Sequence, residues 1–391
     1  MNRESPIHLS LTSTNSHTVK IEAGQGSFSI GEADMDKKKF DVLVERESAI
    51  NWNAFDTYMT PAGSHWPRFF YYYGNDTGFL EWSKKRAIED FFWQPSIPAD
   101  INLNAAQIGN LTVRSNKIPV KIALPSGEDD CLLGLRSLNL SGDLGKFEIL
   151  SENANPYIRL YPNVTRDKIA LPYRLPAFKS LGKITGLDVI VELLGQALDC
   201  ESLLQFPNLQ GLSLTGNLSN VASLNKLEKL ESLAIRYAPN LENFPSLNSW
   251  DNLKSFIGWN IEEITGKRLK TELKELVKSG KELEYCSVSK LRNSVWFTTE
   301  YGIPFTNWES KSAKIATKAY KAALQKIVNG KTENEIKQAL VELIETINKL
   351  SNIETAERED TGIAIQQLIE ASPVKIQSET ANDWFDEVRD F

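Results

Sequence analysis

The chain has 391 residues, of which 41% are hydrophobic and 24% charged, with 22 Gly and 16 Pro; this balance excludes disordered, collagen-like and disulfide-scaffold proteins and leaves room for two to three domains. The net charge of −7 belongs to the end of the chain: residues 330–391 carry 14 acidic and 6 basic side chains, against 37 and 38 in the first 329, so no general basic footprint for nucleic acid is present. Cys131, Cys200 and Cys286 are widely spaced and no apolar leader stands near the start, so the expectation is a soluble cytoplasmic protein with buried free thiols and no membrane span.

From the start of the chain, strands are expected at 7–11, 17–22 and 40–44, separated by Gly and Asp-Lys turns. The next stretch is dense in rings: 11 of the 28 residues from Trp66 to Trp93 are Trp, Phe or Tyr, among them Phe69-Phe70-Tyr71-Tyr72-Tyr73. A helix is expected from near Thr77 to about Trp93, capped by Asp76 or Thr77, with Leu80, Ala87, Ile88 and Phe91 on one side. Residues 1–100 are therefore read as an α+β cap whose rings plug the following domain. An aromatic platform for sugar or single-stranded nucleic acid is the sharper alternative, and the near-neutral local charge weakens its nucleic-acid form.

Residues 101–300 repeat. Leu209, Leu212, Leu214 and Asn217 match LxxLxLxxN at every fixed position, and Leu230, Leu233, Ile235 and Ala238 follow 21 residues later. Further copies begin at Ile108, Leu135, Asn155, Ile184, Leu253 and Leu283, giving eight repeats at irregular spacings of 20 to 30 residues. A short strand sends alternate side chains to opposite faces, so the fixed apolar positions turn inward and stack on the next copy. The Asn at the ninth position can satisfy the backbone where the chain leaves the strand. This pattern resembles the leucine-rich repeat proteins over about half the chain. The resemblance implies an α/β solenoid with a concave sheet face, and the even 20-residue repeat of secreted bacterial ubiquitin-ligase effectors is absent.

The final domain, 301–391, reads as an acidic bundle of four helices. Ala316, Tyr320, Ala323 and Ile327 recur at helical spacing up to the stop at Gly330, and Thr332 with Glu335 forms a capping box before Ile336, Leu340, Leu343, Ile344 and Ile347. Helices at about 355–371 and 380–389 follow, ending in Trp384-Phe385-Asp386-Glu387-Val388-Arg389-Asp390-Phe391, which resembles the ends of some bacterial repeat proteins of toxin-immunity loci.

Catalytic signatures are missing. His8, His17 and His65 fit no metal spacing, Gly330-Lys331-Thr332 is a helix stop rather than a phosphate loop, and Glu128-Asp129-Asp130 reads as a solvated loop before it reads as a cation site. The register does identify positions for a partner: the variable residues flanking the strand leucines face the concave surface. Arg114, Arg159, Tyr161, Arg236, Tyr237, Ile257, Trp259, Asn260 and Tyr285 stand there, and Tyr, Trp and Arg are the residues that dominate binding hot spots. The expectation is a non-enzymatic protein without a cofactor, engaging a protein on this face, in its most specific form a bacterial immunity protein that blocks a toxin. The alternative is a repeat-containing effector or regulator whose C-terminal helices are the active module.

Overall fold

Apolar side chains at every second position let a strand bury one face, and this chain repeats that device twelve times in register. The structure is a computed structural model, and it describes residues 6–20, 25–56, 68–125, 134–165, 170–191, 195–297, 302–351 and 353–390. It divides into two compact units, Met1–Ser289 and Lys290–Phe391.

The first unit opens with an antiparallel pair, β1 (Ile7–Leu9) and β2 (His17–Val19). A 12-stranded sheet follows, made of β3 (Ser27–Glu32), β4 (Val42–Val44), β5 (Phe69–Tyr73), β6 (Ile88–Gln94), β8 (Ile108–Ser115), β10 (Ser137–Gly142), β12 (Tyr157–Pro162), β13 (Gly186–Ile190), β15 (Gly211–Thr215), β17 (Ser232–Arg236), β18 (Ser255–Trp259) and β19 (Tyr285–Ser289). Its strands are parallel and follow chain order from β5 to β19, with β3 and then β4 beyond β5. Parallel neighbours require crossovers. Here the returning chain carries a second parallel layer of β7 (Ala99–Asn102), β9 (Val120–Ala123) and β11 (Phe147–Leu150), and a shorter pair of β14 (Leu198–Asp199) and β16 (Leu218–Ser219). Helix α1 (Phe79–Lys85) and helix α2 (Glu263–Lys278) serve two other crossovers. The chain is thus α/β, with a large parallel sheet and, in its second unit, helices.

The core of the first unit lies between the large sheet and the returning segments. Phe28, Phe70, Phe91, Leu111, Leu138, Ile158, Leu187, Leu212, Leu233 and Phe256 pair across adjacent strands in one unbroken register row, and each is at most 2% exposed. All eight strands expected from the repeat are present. Asn217 does what its position predicts, its Nδ2 donating to the Gly195 carbonyl at 2.8 Å, while Asn163 Nδ2 instead donates to Asn116 Oδ1 at 2.8 Å. Where the strands end, one register position adopts positive φ in five strands: Gly142, Gly216, Tyr237, Asn260 and Lys290.

The aromatic segment departs from expectation. The helix stops at Lys85, and residues 88–94 are a strand paired with β5 and β8. The reason is the LxxLxL spacing: Ile88, Phe91 and Trp93 are at most 1% exposed while Phe92, on the opposite face, is only half-buried, and rings suit a pleated, half-buried surface. The sheet therefore continues through residues 69–94, and the expected boundary near residue 100 falls inside one compact unit. The expected cap is also displaced: Gly78, not Asp76 or Thr77, is the N-cap of the short helix, and Asp76 Oδ1 accepts from Gly78 N at 2.7 Å in the turn before it.

The second unit holds the one-turn helix α3 (Ser294–Trp296), then α4 (Ser310–Asn329), α5 (Glu333–Asn348), α6 (Thr355–Glu370) and α7 (Ser378–Val388). The capping box is formed as expected, with Glu335 N donating to Thr332 Oγ1 at 3.3 Å and Thr332 N to Glu335 Oε2 at 3.2 Å. Tyr320, Ile327, Ile336, Leu340, Leu343, Ile344, Ile365 and Leu368 fill its core. The basic α4 meets an acidic neighbour through the Lys326–Glu342 ion pair.

Candidate functional site

Residues between the buried row positions point to the other face of the large sheet. Two register rows matter there. One runs Tyr71, Phe92, Thr112, Asn139, Arg159, Asp188, Ser213, Ala234, Ile257, Ser287; the next runs Tyr73, Gln94, Arg114, Ser141, Tyr161, Ile190, Thr215, Arg236, Trp259, Ser289. Six of the nine expected partner-facing residues stand in these two rows, Tyr237 and Asn260 follow the second row by one residue and Tyr285 precedes the first by two, and the side chains fall into three groups.

At the first group, Phe92 packs against Tyr71 and Tyr73 with ring centres 6.0 and 5.2 Å apart. The Arg114 guanidinium lies 5.8 Å from the Phe92 ring centre, and Arg114 Nε donates to Ser141 Oγ at 3.3 Å. Arg114 and Tyr161 line one cavity here together with Phe92, Thr112, Ser141, Pro162, Asn163, Val164 and Ile190.

The second group centres on Arg159, which lies 5.5 Å from the Tyr157 ring centre and 3.9 Å, Nε to Oδ2, from Asp188. Burial pushes the Asp188 carboxyl up from its ordinary value, outweighing the Ser213 hydrogen bond and the positive charges of Arg159 and Arg236. Tyr157 is likewise raised, by burial first and by Asp188 second. Two acceptors on this row, Asn139 Oδ1 and Asp188 Oδ1, are buried without a hydrogen-bond partner among the described residues, an arrangement that costs about 1–3 kcal/mol per group when left unsatisfied.

In the third group, Arg236 Nη1 donates to Ser213 Oγ at 3.2 Å and Arg236 pairs in register with Trp259. Trp259 and Tyr237 meet edge to face, 5.0 Å apart at 87°. Tyr237 holds φ +51, an uncommon conformation for a bulky residue. Ile257 lies between Ala234 and Ser287, and Tyr285 stands on the outermost strand at 64% exposure, in register with Ser255.

Three expectations need correction. Asn260 is only 3% exposed, at the positive-φ turn after β18, where its amide N–H donates to the Ser289 carbonyl at 3.3 Å; it shapes that turn and does not offer a contact surface. Ser137, Asn139 and Ser141, the residues that flank the β10 leucines and are therefore expected on the open face, are 4–9% exposed and bond to Asn110, Thr112 and Arg114 of the neighbouring strand. Cys286 is only partly buried, whereas the Cys200 thiol is buried and pushed up to about 12 by burial first and by Asp199 second. Tyr71, Tyr73 and Phe92 also stand on this face; Phe92 is hidden in the sequence by the helix expected over 77–93, and Tyr71 and Tyr73 by their reading as part of an aromatic plug. The LxxLxL spacing of Ile88, Phe91 and Trp93 carried the signal.

Glu128, Asp129, Asp130, Cys131 and His65 lie outside the described residues. Among the described residues no group of three or more His, Cys, Asp or Glu is placed to hold a metal ion, and no helix is long and apolar enough to cross a membrane. Compared with protein-family models, curated proteins and solved structures, the chain matches none.

Proposed function

We propose that the chain is a leucine-rich repeat protein that binds a protein partner, without catalysing a reaction or using a cofactor, on the face that carries Arg114, Arg159, Tyr161, Arg236, Tyr237, Ile257, Trp259 and Tyr285. The observation that carries the reading is the Tyr237–Trp259 pair beside Arg236. Large rings with few rotors next to an oriented guanidinium bury much area at small entropic cost. A tyrosine kept at positive φ, where two other strands of the sheet place glycine, is strain retained at the same spot. The register supports the repeat assignment, because the LxxLxL leucines of successive copies pair with one another.

In its most specific form, the partner is a toxin and the protein a bacterial cytoplasmic immunity protein; the C-terminal octapeptide resemblance is the ground for that form. The test is affinity capture by the intact protein from its source cells beside the variant Arg236→Ala, Tyr237→Ala, Trp259→Ala. A partner held by the intact protein and released by the variant, with the thermal midpoint of the variant preserved, supports the reading. Equal recovery by both rejects it.

A further inference from the structure

The cavity beside Phe92 measures about 230 Å³, well above the roughly 10–15 Å³ that a single water needs. Its walls are of two kinds. Phe92, Tyr161, Pro162, Val164 and Ile190 supply apolar surface, while Arg114, Thr112, Ser141 and Asn163 supply polar groups, Asn163 with its Nδ2 already given to Asn116 Oδ1.

The polar groups form a set of unused donors. Arg114 spends Nε on Ser141 Oγ, and among the described residues it forms no ion pair, whereas Arg159, on the next strand but one, has Asp188. Thr112 Oγ1 accepts from Asn139 Nδ2 at 2.9 Å and Ser141 Oγ accepts from Arg114, so each hydroxyl keeps its own hydrogen to give. One delocalised positive charge plus two hydroxyl donors suits a singly charged, planar acceptor, because the guanidinium fork matches the two oxygens of a carboxylate. A phosphate, with about two charges and three oxygens, is recognised by clusters of arginine, whereas Arg114 is the one arginine among the described residues that line this cavity. The apolar wall adds a requirement that the carboxylate be carried on a hydrocarbon stem.

The geometry points to a pocket for a glutamate side chain of the bound protein, its carboxylate on Arg114, Thr112 and Ser141 and its methylenes against Phe92, Tyr161 and Ile190. This rests on the proposed partner face and adds the chemistry by which that face selects.

The test uses the full chain and two small probes, N-acetyl-L-glutamate N-methylamide and its neutral isostere N-acetyl-L-glutamine N-methylamide, followed at the δ-methyl NMR resonance of Ile190. The glutamate probe is expected to give a saturable shift, the glutamine probe to bind at least about tenfold more weakly, and Arg114→Gln to abolish the difference between them, on the scale of one lost charge-assisted hydrogen bond. Arg114 is exposed, so this variant keeps the core row intact, and its thermal midpoint checks that. Equal binding of the two probes, or a preference for glutamate that persists in Arg114→Gln, overturns the inference. Failure of the wider reading is separate: it appears as equal partner capture by the Arg236, Tyr237, Trp259 variant, whatever the probes do.

Discussion

Strands β5 and β6 and strands β15 and β17 occupy the same sheet and the same register, yet they are built from different chemistry. In the first pair the inward positions are Phe70, Tyr72, Phe91 and Trp93; in the second they are Leu212, Leu214, Leu233 and Ile235. Behind the aromatic strands the returning chain adds Trp52, Phe55, Phe79 and Trp82, and the Trp52 ring lies within 6.3 Å of six others. Behind the aliphatic strands it adds Leu218, Val221, Leu224 and Leu227. The aromatic region is also tied by polar handles: Trp52 Nε1 donates to Asp76 Oδ1 at 2.8 Å, Trp82 Nε1 to Asp56 Oδ1 at 2.8 Å, and Trp93 Nε1 to the Gly74 carbonyl at 2.9 Å. Alternation and register, rather than any one residue type, therefore specify this sheet, and the two ends differ in how concentrated their stabilisation is.

That contrast is testable from its largest consequence downward. Trp52→Ala is expected to cost about 3–5 kcal/mol in urea unfolding, since it opens a cavity among six rings and strips Asp76 of a donor. Leu233→Ala removes only aliphatic contacts and falls at about 2–5 kcal/mol. Trp52→Phe sharpens the comparison: it keeps a ring but loses the Asp76 bond, and a loss of about 1–3 kcal/mol is expected. A Trp52→Ala cost below that of Leu233→Ala breaks the idea that stabilisation is concentrated in the ring cluster.

The strand-end turns give a smaller effect. At Gly216, φ is +106 and an added Cβ would lie 2.3 Å from the Val191 carbonyl oxygen, so Gly216→Ala is expected to cost about 1–3 kcal/mol. At the same register position Tyr237→Gly relieves strain while loosening the unfolded chain, and the net is expected within about 1 kcal/mol of zero. Thermal unfolding of the two variants side by side distinguishes them; equal and large losses would show that the Tyr237 side chain supports the fold rather than the face.

The smallest effect is a slope. The Asp188 carboxyl sits above its ordinary 3.8 in the folded chain, so the native state holds more protons than the unfolded state between those two values. Stability from this group is therefore greatest at low pH and falls as pH rises through that window. Asp188→Asn is expected to remove this component of the fall, measured as unfolding free energy against pH; an unchanged slope would show that Arg159 and Arg236 offset the burial fully.

Much of the fold was legible, and the misreading of residues 86–94 has a plain physical cause. LxxLxL is as regular in Ile88, Phe91, Trp93 as in Ile108, Leu111, Val113, but rings in place of leucine also fit a helical spacing, and Asp76 supplied a plausible cap. Short apolar runs carry both periods at once, and only a partner strand decides between them. The helices of the second unit had no such ambiguity, because Thr332 with Glu335 and the row Ile336, Leu340, Leu343, Ile347 agree on one period over four turns. On the candidate face, the sequence named most of the exposed rings and guanidinium groups from register alone. It missed Phe92 with the strand that holds it, and it exposed Asn260, whose burial follows from a turn whose φ no spacing reveals.

By itself the sequence determined the recurring LxxLxL pattern and the helices of the second unit, since these depend on neighbours a few residues apart. Tertiary structure decided which strands the aromatic segment joined, which of the outward residues stayed open, and that Arg114, Tyr161 and Phe92, from three strands and nearly 70 residues of chain, line one cavity. Those outcomes depend on contacts between distant segments, and packing against a neighbour strand outweighs a local preference wherever the local signal reads two ways.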